Sequence, residues 1–299
     1  MRADTKLEYR ERVEAAIKFV LTRLDNPPSP VEIADEAGFS RYHFGRVFSI
    51  ATGEPLAEFV RRLRLERSAW QLENTDDSVT DIAFGAGYES LEGFSRAFRD
   101  LFRIPPSDWR SQPSRHEIQC PSEVHWCPEG RRSVPLLVIS GESEMEARIE
   151  HIDDMCVVAL RHHGPYYLIG DKFPKLNNWA VKNNVPFTAA LGIWRDNPDM
   201  VAAQDLRSDA CIVVSSDQEL PDTEGLDIRL DKVAAGEYAV ATFYGPYEGL
   251  GDAWARFCGQ AIAKLGREIA EAPSFEMYMN DCSTVKPEEI RTDLYVLLK

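Results

Sequence analysis

The sequence predicts a multidomain protein in which an all-α double helix-turn-helix domain precedes an α+β domain. We expect the α+β domain to consist of two βαββ repeats related by a pseudo-two-fold axis. Two observations support this fold class: a helical motif recurs at an offset of about 50 residues near the N-terminus, and a second pattern recurs at an offset of 81 in the C-terminal half. A length of 299 residues suits about two domains, each with its own core.

The clearer copy of the helical motif occupies residues 79–98. Gly87 can adopt the positive φ that ends a helix, and Ser90 can cap the next helix. Phe94 and Phe98 lie four residues apart, so they share one face of that second helix. The sequence places three residues away from this face: Leu91, Glu92 and Arg96. Two short helices joined in this way are typical of a helix-turn-helix that reads a DNA major groove.

The other copy occupies residues 31–48 and is one residue shorter in its turn. Gly38 corresponds to Gly87, and the two arginines Arg46 and Arg96 occupy equivalent positions. Further equivalent pairs are Ile33 and Ile82, Ala34 and Ala83, Phe44 and Phe94, and Phe48 and Phe98. A single match of this kind is weak, whereas two matched copies are strong support for a double helix-turn-helix.

The formal net charge of −15 is distributed unevenly and does not exclude nucleic acid as a partner. Residues 1–120 carry 17 Lys and Arg against 20 Asp and Glu, whereas residues 121–299 carry 17 against 29. No apolar run approaches the ~18 residues of a membrane span, so we expect no membrane partner. Six cysteines without regular spacing favour a reducing compartment, and we predict a cytoplasmic protein. The sequence indicates no cofactor and no metal.

Two longer helices flank the first motif. Residues 8–24 form an amphipathic pattern, and residues 55–72 form one long helix between the motifs. In that helix Leu56, Leu63 and Trp70 lie seven residues apart, so we expect Leu63 and Trp70 to be buried. Its remaining surface is predicted to carry four arginines: Arg61, Arg62, Arg64 and Arg67.

Residues 113–144 are predicted to be a linker. Their histidines and cysteines (His116, Cys120, His125 and Cys127) have a spacing that fits no standard zinc pattern, so we interpret them as unpaired loop residues. We also find neither a nucleophile–His–acid constellation nor a glycine loop for phosphates. The tandem histidines His162 and His163 are interpreted as structural.

The second repeat runs from residue 146 to the C-terminus. Gly164-Pro165-Tyr166 aligns with Gly245-Pro246-Tyr247, and Arg207-Ser208-Asp209 aligns with Arg291-Thr292-Asp293. Each copy reads as two strands, a Gly-Pro-Tyr turn, a helix and two further strands. A cleft where such halves meet is a usual ligand site.

The repeat itself singles out Glu276, because its counterpart is Gly192. A carboxylate within an apolar strand is costly unless it is paired or awaits a cation. An outward-facing Glu276 remains the alternative. The candidate aromatic walls for a cation–π site are Trp194, Tyr166, Tyr247, Tyr278 and Tyr295, each of which could instead be a core residue or a turn anchor.

Residues 8–110 resemble the DNA-binding domain of the AraC/XylS transcription regulators. The specific part is Ile82-Ala83, Gly87-Tyr88 and Phe94-Ser95-Arg96-Ala97-Phe98, followed by Pro105-Pro106-Ser107 and Trp109-Arg110. The resemblance implies seven helices and double-stranded DNA as partner, with RNA polymerase as a further expected partner. By position it implies six base-reading residues: Arg41, Tyr42, Arg46, Leu91, Glu92 and Arg96.

Residues 145–299 resemble the GyrI-like effector-binding domain through Tyr244-Gly245-Pro246-Tyr247, residues 273–278 and residues 291–296. This resemblance implies binding of a small apolar or cationic effector. We therefore predict a transcription regulator with DNA reading in 1–112, a linker over 113–144 and ligand sensing in 145–299. The alternatives are a GyrI-like hydrolase, a ligand-sequestering protein, or a DNA-binding protein whose second domain contacts another protein.

Overall fold

The structure, a computed structural model, describes residues 2–111, 118–128, 145–198 and 200–299. The chain forms two compact units. One unit contains residues 10–38 with the described part of 48–139, and the other contains residues 39–47 with the described parts of 1–9 and 140–299. His116 of the predicted linker lies outside the described residues. Within these ranges, no helix is both long enough and apolar enough to cross a membrane.

Seven helices occur in residues 2–111, as the family resemblance implies. They are α1 (Arg2–Leu21), α2 (Pro30–Glu36), α3 (Phe44–Thr52), α4 (Leu56–Asn74), α5 (Val79–Gly85), α6 (Leu91–Phe102) and α7 (Pro106–Ser111). The predicted helix-turn-helices are therefore α2 with α3 and α5 with α6.

Local chemistry fixes where these helices begin and end. Ser29 and Glu32 form a reciprocal capping box at the start of α2. Gly38 and Gly87 have φ values of 65° and 75°, which glycine adopts without steric cost, so each helps its chain to turn between helices. Ser90 accepts a hydrogen bond of 3.1 Å from the backbone N–H of Gly93, which confirms the predicted cap of α6.

The long helix α4 differs from its prediction in two ways. Leu63 is fully buried as expected, but Trp70 is 37% exposed, so the predicted burial of Trp70 is wrong. Its ring instead packs edge-on against Trp126, with centroids 5.7 Å apart. Arg62, predicted to lie on the surface, is buried because it is paired with two carboxylates, Glu54 and Glu66. Seven-residue spacing alone could not reveal that residues 118–128 contact this side of α4.

The C-terminal repeats form one eight-stranded antiparallel sheet. Its strands are β1 (Arg148–Ile152), β2 (Met155–His163), β3 (Ala190–Trp194), β4 (Arg207–Val214), β5 (Ile228–Val233), β6 (Gly236–Tyr244), β7 (Ser274–Tyr278) and β8 (Arg291–Leu297). The strand order is β1-β6-β8-β7-β3-β4-β2-β5. Equivalent strands of the two repeats occupy mirrored positions in this order, which confirms the pseudo-two-fold arrangement. The first strand of each repeat pairs with the second strand of the other, so the halves are interlocked.

Two helices follow the Gly-Pro-Tyr turns, as predicted: α8 (Lys172–Lys182) and α9 (Leu250–Arg256). A π-helical turn at Phe257–Ala261 continues α9. Successive side chains of each strand point to opposite faces of the sheet. Leu191, Ile193, Phe275 and Tyr295 belong to an apolar cluster on one face. The opposite face carries the alternate residues of β3 and β7.

Candidate functional site

The centre of the sheet brings the two exceptional residues of the repeat together. Strands β3 and β7 are adjacent, and Gly192 lies directly opposite Glu276 in their register. The asymmetry found in the sequence therefore occurs where the two repeats meet. Glu276 is 2% exposed, which excludes the outward-facing alternative.

The Glu276 carboxylate is partly satisfied by neighbouring donors. The indole N–H of Trp254 on α9 donates to one oxygen, and the Tyr278 hydroxyl donates to the other over 3.3 Å. Burial raises the pKa of Glu276 to about 7, although these hydrogen bonds act in the opposite direction. Since this value lies near neutrality, the group can change charge in response to a ligand or to pH.

Gly192 provides the space that this arrangement needs. A Cβ at this position would lie 2.9 Å from the Tyr278 hydroxyl oxygen and 3.3 Å from Cζ2 of Trp194. A side chain there would therefore compete with both rings. The indole N–H of Trp194 is buried beside Glu276 and lowers the pKa of that carboxyl, although it makes no hydrogen bond of normal distance and angle among the described residues. The second repeat thus contributes the carboxylate of Glu276, and the first contributes Gly192, whose missing side chain leaves space for the Tyr278 and Trp194 rings.

Further aromatic rings extend from this centre. Tyr247 and Phe173 each pack edge-on against Tyr278, with centroids 5.5 and 5.3 Å away. The ring centroids of Tyr166 and Trp194 lie 4.8 Å apart. The Tyr166 hydroxyl donates a 2.6 Å hydrogen bond to the backbone oxygen of Asp196. Four of the five predicted aromatic residues therefore form connected pairs around Glu276: Trp194, Tyr166, Tyr247 and Tyr278.

Tyr295 is the exception, and its assignment to the ligand site is wrong. It lies opposite Phe275 in the β7–β8 register and stacks on that ring, with centroids 4.4 Å apart. Phe275 and Glu276 are consecutive in a strand, so their side chains point to opposite faces. Tyr295 consequently belongs to the apolar cluster on the other face of the sheet.

Sequence reasoning missed two aromatic residues of this site, Trp254 and Phe173. They are equivalent in the repeat, because they are separated by the same 81 residues as the two Gly-Pro-Tyr turns. Trp254 contacts Glu276, whereas Phe173 contacts Tyr278. Extending the alignment two residues beyond Asp171 and Asp252 would have identified the pair.

The second helix-turn-helix presents its predicted residues to solvent. Phe94 and Phe98 are buried in the core, which turns the opposite side of α6 outward. On that side Leu91 is exposed, and Arg96 forms a 2.9 Å ion pair with Glu92. Both charged side chains remain mostly exposed, so water screens the pair and little free energy opposes its exchange for a nucleic-acid contact.

The predicted residues of the first motif lie in the compact unit that contains residues 39–47. Arg41 and Tyr42 precede α3, and the Arg41 guanidinium donates to the Tyr42 hydroxyl over 3.1 Å. Within this unit Arg41 also pairs with Glu271 at 2.9 Å, and the Arg46 guanidinium carbon lies 4.7 Å from the ring centroid of Trp254. The charge of Arg46 also acts on Glu276, whose pKa it lowers.

Comparisons with known proteins cover both parts of the chain. The family model of the GyrI-like small molecule binding domain matches residues 145–299, and a helix-turn-helix domain model matches residues 33–112. Regulatory protein SoxS of Salmonella typhimurium is 32% identical over 104 residues, which cover 35% of this chain and 97% of that protein.

The DNA gyrase inhibitor of Enterobacter lignolyticus is 32% identical over 139 residues, covering 46% of this chain and 87% of that protein. The solved structure of the EcmrR C-terminal domain is 16% identical and covers 52% of this chain and 98% of that chain. Its TM-score of 0.45 is too low to carry a functional inference.

Proposed function

Because the chain belongs to the GyrI-like family and joins that domain to an AraC-type helix-turn-helix domain, we propose that it is a transcription regulator controlled by a cationic small molecule. In this proposal residues 1–112 read duplex DNA, residues 113–144 are a linker, and residues 145–299 bind the effector. RNA polymerase is the further partner, by analogy with regulators of this type.

The buried Glu276 carboxylate is the observation that supports a cationic effector. Burial disfavours ionisation of this carboxyl, which is why its pKa lies at about 7. A bound cation adds to the positive charge of Arg46, which already lowers the pKa of Glu276 against the effect of burial. Its attraction to the carboxylate is strong because few water molecules screen it. A neutral ligand of the same shape gains none of this interaction.

The surrounding rings suit the same class of ligand. Four rings can present π faces to an organic cation and bury its apolar parts: Trp194, Tyr166, Tyr247 and Tyr278. Tyr247 is 40% exposed, so this group of rings extends from the buried carboxylate to solvent. We therefore expect an aromatic or alkyl-substituted ammonium compound rather than a bare metal ion.

DNA reading is assigned to the exposed side of α6 and to the start of α3. Arg96 can donate two parallel hydrogen bonds to a guanine edge, and Leu91 can contact a thymine methyl group. Glu92 can accept from a cytosine amino group. In the first motif the proposed readers are Arg41, Tyr42 and Arg46.

A hydrolase is the second candidate, because a carboxyl group with a pKa near 7 can act as a general base. The Tyr278 hydroxyl beside it could stabilise a developing negative charge. Turnover of a bound electrophile by the full chain, lost in Glu276→Gln, would favour this candidate. Binding without turnover supports a sensor, and binding that never alters DNA affinity would indicate a ligand-sequestering protein.

The effector proposal is tested with two probes that differ in charge but hardly in shape. Isothermal titration calorimetry at pH 8 compares 4-(trimethylammonio)benzyl alcohol with 4-tert-butylbenzyl alcohol. Glu276→Gln should weaken the affinity for the cationic probe by about tenfold, equivalent to ~1.4 kcal/mol of binding free energy. The affinity for the neutral probe should change by less than about twofold. Equal effects on both probes would refute the electrostatic role of Glu276.

The DNA proposal is tested by selecting sequences from a random duplex library with the full chain. Arg96→Ala should then reduce the free energy of binding to the selected sequence by about 1–3 kcal/mol, and that of binding to unrelated DNA by much less. An equal loss on all sequences would identify Arg96 as a phosphate contact, and full retention of affinity would remove it from the interface.

A further inference from the structure

A polar network joins residues 118–128 to helix α4 within one compact unit. Its centre is the buried guanidinium of Arg62, which donates to Glu54 at 2.6 Å, to Glu66 at 2.7 Å and to the backbone oxygen of Val124 at 2.8 Å. Ser122 donates a further 2.6 Å hydrogen bond to Glu54. This network holds the segment in a defined position beside α4.

The same network aligns three side chains whose combination the sequence did not predict. Nδ1 of His125 lies 3.1 Å from Oε1 of Glu66, and Nε2 of His125 lies 3.7 Å from Sγ of Cys120. The second oxygen of Glu66 accepts a 2.7 Å hydrogen bond from the backbone N–H of Trp126, which orients the carboxylate. The interpretation of Cys120 and His125 as unpaired loop residues is therefore wrong.

This geometry assigns a role to each atom. An ionised carboxylate only accepts hydrogen bonds, so Glu66 favours the histidine tautomer with its proton on Nδ1. The lone pair of Nε2 then faces the Cys120 thiol. A base that contacts the thiol and is oriented by a third group is the arrangement that activates cysteine nucleophiles. Among the described residues, no three His, Cys, Asp or Glu side chains are placed so that they could hold a metal ion.

The other cysteines provide an internal comparison. Cys211 and Cys258 are buried, and burial raises the pKa of each thiol, which keeps them protonated and unreactive. Cys282 is exposed, and Cys120, Cys127 and Cys156 are half-buried. Cys120 combines partial exposure with a neighbouring His–Glu pair, whereas the side chain beside the exposed Cys282 is the hydroxyl of Tyr247.

We propose that Cys120 is a modification site for electrophiles with a polarised carbon–carbon double bond, such as α,β-unsaturated carbonyl compounds. In the reaction the thiol proton moves to Nε2 of His125, and a sulfur electron pair forms a bond to the β-carbon. The π electrons shift onto the carbonyl oxygen, and the α-carbon then takes up the proton from His125. The product is a thioether, and no oxidant, reductant or leaving group is needed.

The adduct should act on the segment that holds it. Sγ of Cys120 lies 3.8 Å from the backbone oxygen of Val124, the same oxygen that accepts from Arg62. A bulky substituent on sulfur therefore competes with the contact that fixes residues 118–128 to α4. Because α4 connects the two helix-turn-helix motifs, a modification at Cys120 changes the packing around a helix of the DNA-reading domain itself.

The test measures alkylation of the full chain by acrylamide at pH 7, with each cysteine followed by peptide mass spectrometry. Rates are normalised to those in 6 M guanidinium chloride, where every thiol is accessible. We expect Cys120 to react at least about tenfold faster than Cys282, and His125→Asn to remove that advantage without changing the rate at Cys282. A Cys120 rate equal to or below that of Cys282 would overturn the proposal.

The role of Glu66 as a positioning residue is tested by Glu66→Gln and Glu66→Asp. The amide should slow the reaction of Cys120, and the shorter carboxylate should restore part of the rate. A carboxylate accepts with both oxygens, whereas an amide that accepts from the Trp126 N–H turns its NH2 donor toward His125 and favours the other tautomer. Equal rates in both variants would contradict this role. Hydrogen exchange at residues 118–128 should increase on alkylation of the wild-type chain but not of Cys120→Ser, and unchanged exchange would contradict the proposed loosening.

Discussion

Replacing Glu276 by glutamine should change how the stability of the C-terminal domain depends on pH. The pKa of the buried carboxyl lies at about 7, against an ordinary value of 4.5. Because the folded state holds this proton more tightly than the unfolded state, stability is lost as pH rises from 4.5 through 7 and is constant above it. The difference corresponds to a loss of about 3 kcal/mol, since one pKa unit is worth about 1.4 kcal/mol.

Glu276→Gln cannot ionise, so it should not show this loss. The carboxamide oxygen can still accept from Trp254, which preserves the main hydrogen bond of the site. The variant should therefore gain up to about 3 kcal/mol relative to wild type between pH 4.5 and pH 8.5. The matched control is Glu248→Gln, at an exposed position, which should follow the wild-type dependence.

Hydrogen exchange of the β3 and β7 amides is the suitable assay, because a chain with two compact units need not unfold in one transition. Wild type and variant are compared at each pH, so the intrinsic effect of pH on exchange cancels. If the protection free energies of the two proteins run parallel across the whole range, Glu276 is not a buried carboxyl with a raised pKa.

Three further substitutions test other parts of the structure. Gly192→Ala should weaken binding of the cationic probe severalfold in calorimetry, because its Cβ would displace the Tyr278 hydroxyl. The far-ultraviolet circular dichroism spectrum should be unchanged. Unchanged affinity would show that the position of the hydroxyl is unimportant. Trp70→Ala should cost only about 1–2 kcal/mol in denaturant unfolding, because its ring is partly exposed. Leu63→Ala should cost about 2–5 kcal/mol as a fully buried comparison, and equal losses in these two variants would contradict the assigned burial.

Internal repetition explains why so much of the fold could be predicted. Ser90, Gly87 and the Phe94–Phe98 face have local functions that any single helix-turn-helix requires. The C-terminal alignment identified Glu276 as the counterpart of Gly192. The structure adds that the two residues lie opposite each other, because equivalent strands of the pseudo-symmetric sheet are adjacent at its centre.

The errors arise where the answer depends on partners distant in sequence. Tyr295 was placed in the site because it is aromatic, but the β7–β8 register puts it beside Phe275 on the other face. Trp70 has the spacing of a core residue, yet it is 37% exposed and its ring packs on Trp126. Residues 118–128 carry no periodic pattern, so this contact could not be predicted. The contact between Glu66 and His125 joins residues 59 positions apart, so no local motif could have indicated it.

The proton released when a cation binds tests the central claim most directly. Calorimetry at pH 6 in two buffers with different ionisation enthalpies counts the protons exchanged on binding of 4-(trimethylammonio)benzyl alcohol. With a pKa of about 7, Glu276 is mostly protonated at this pH, so ionisation on binding should release about 0.9 of a proton. The neutral probe, and Glu276→Gln with either probe, should release none. Cation binding to the wild-type chain without proton release would contradict the assignment of Glu276 as the counter-charge of the effector.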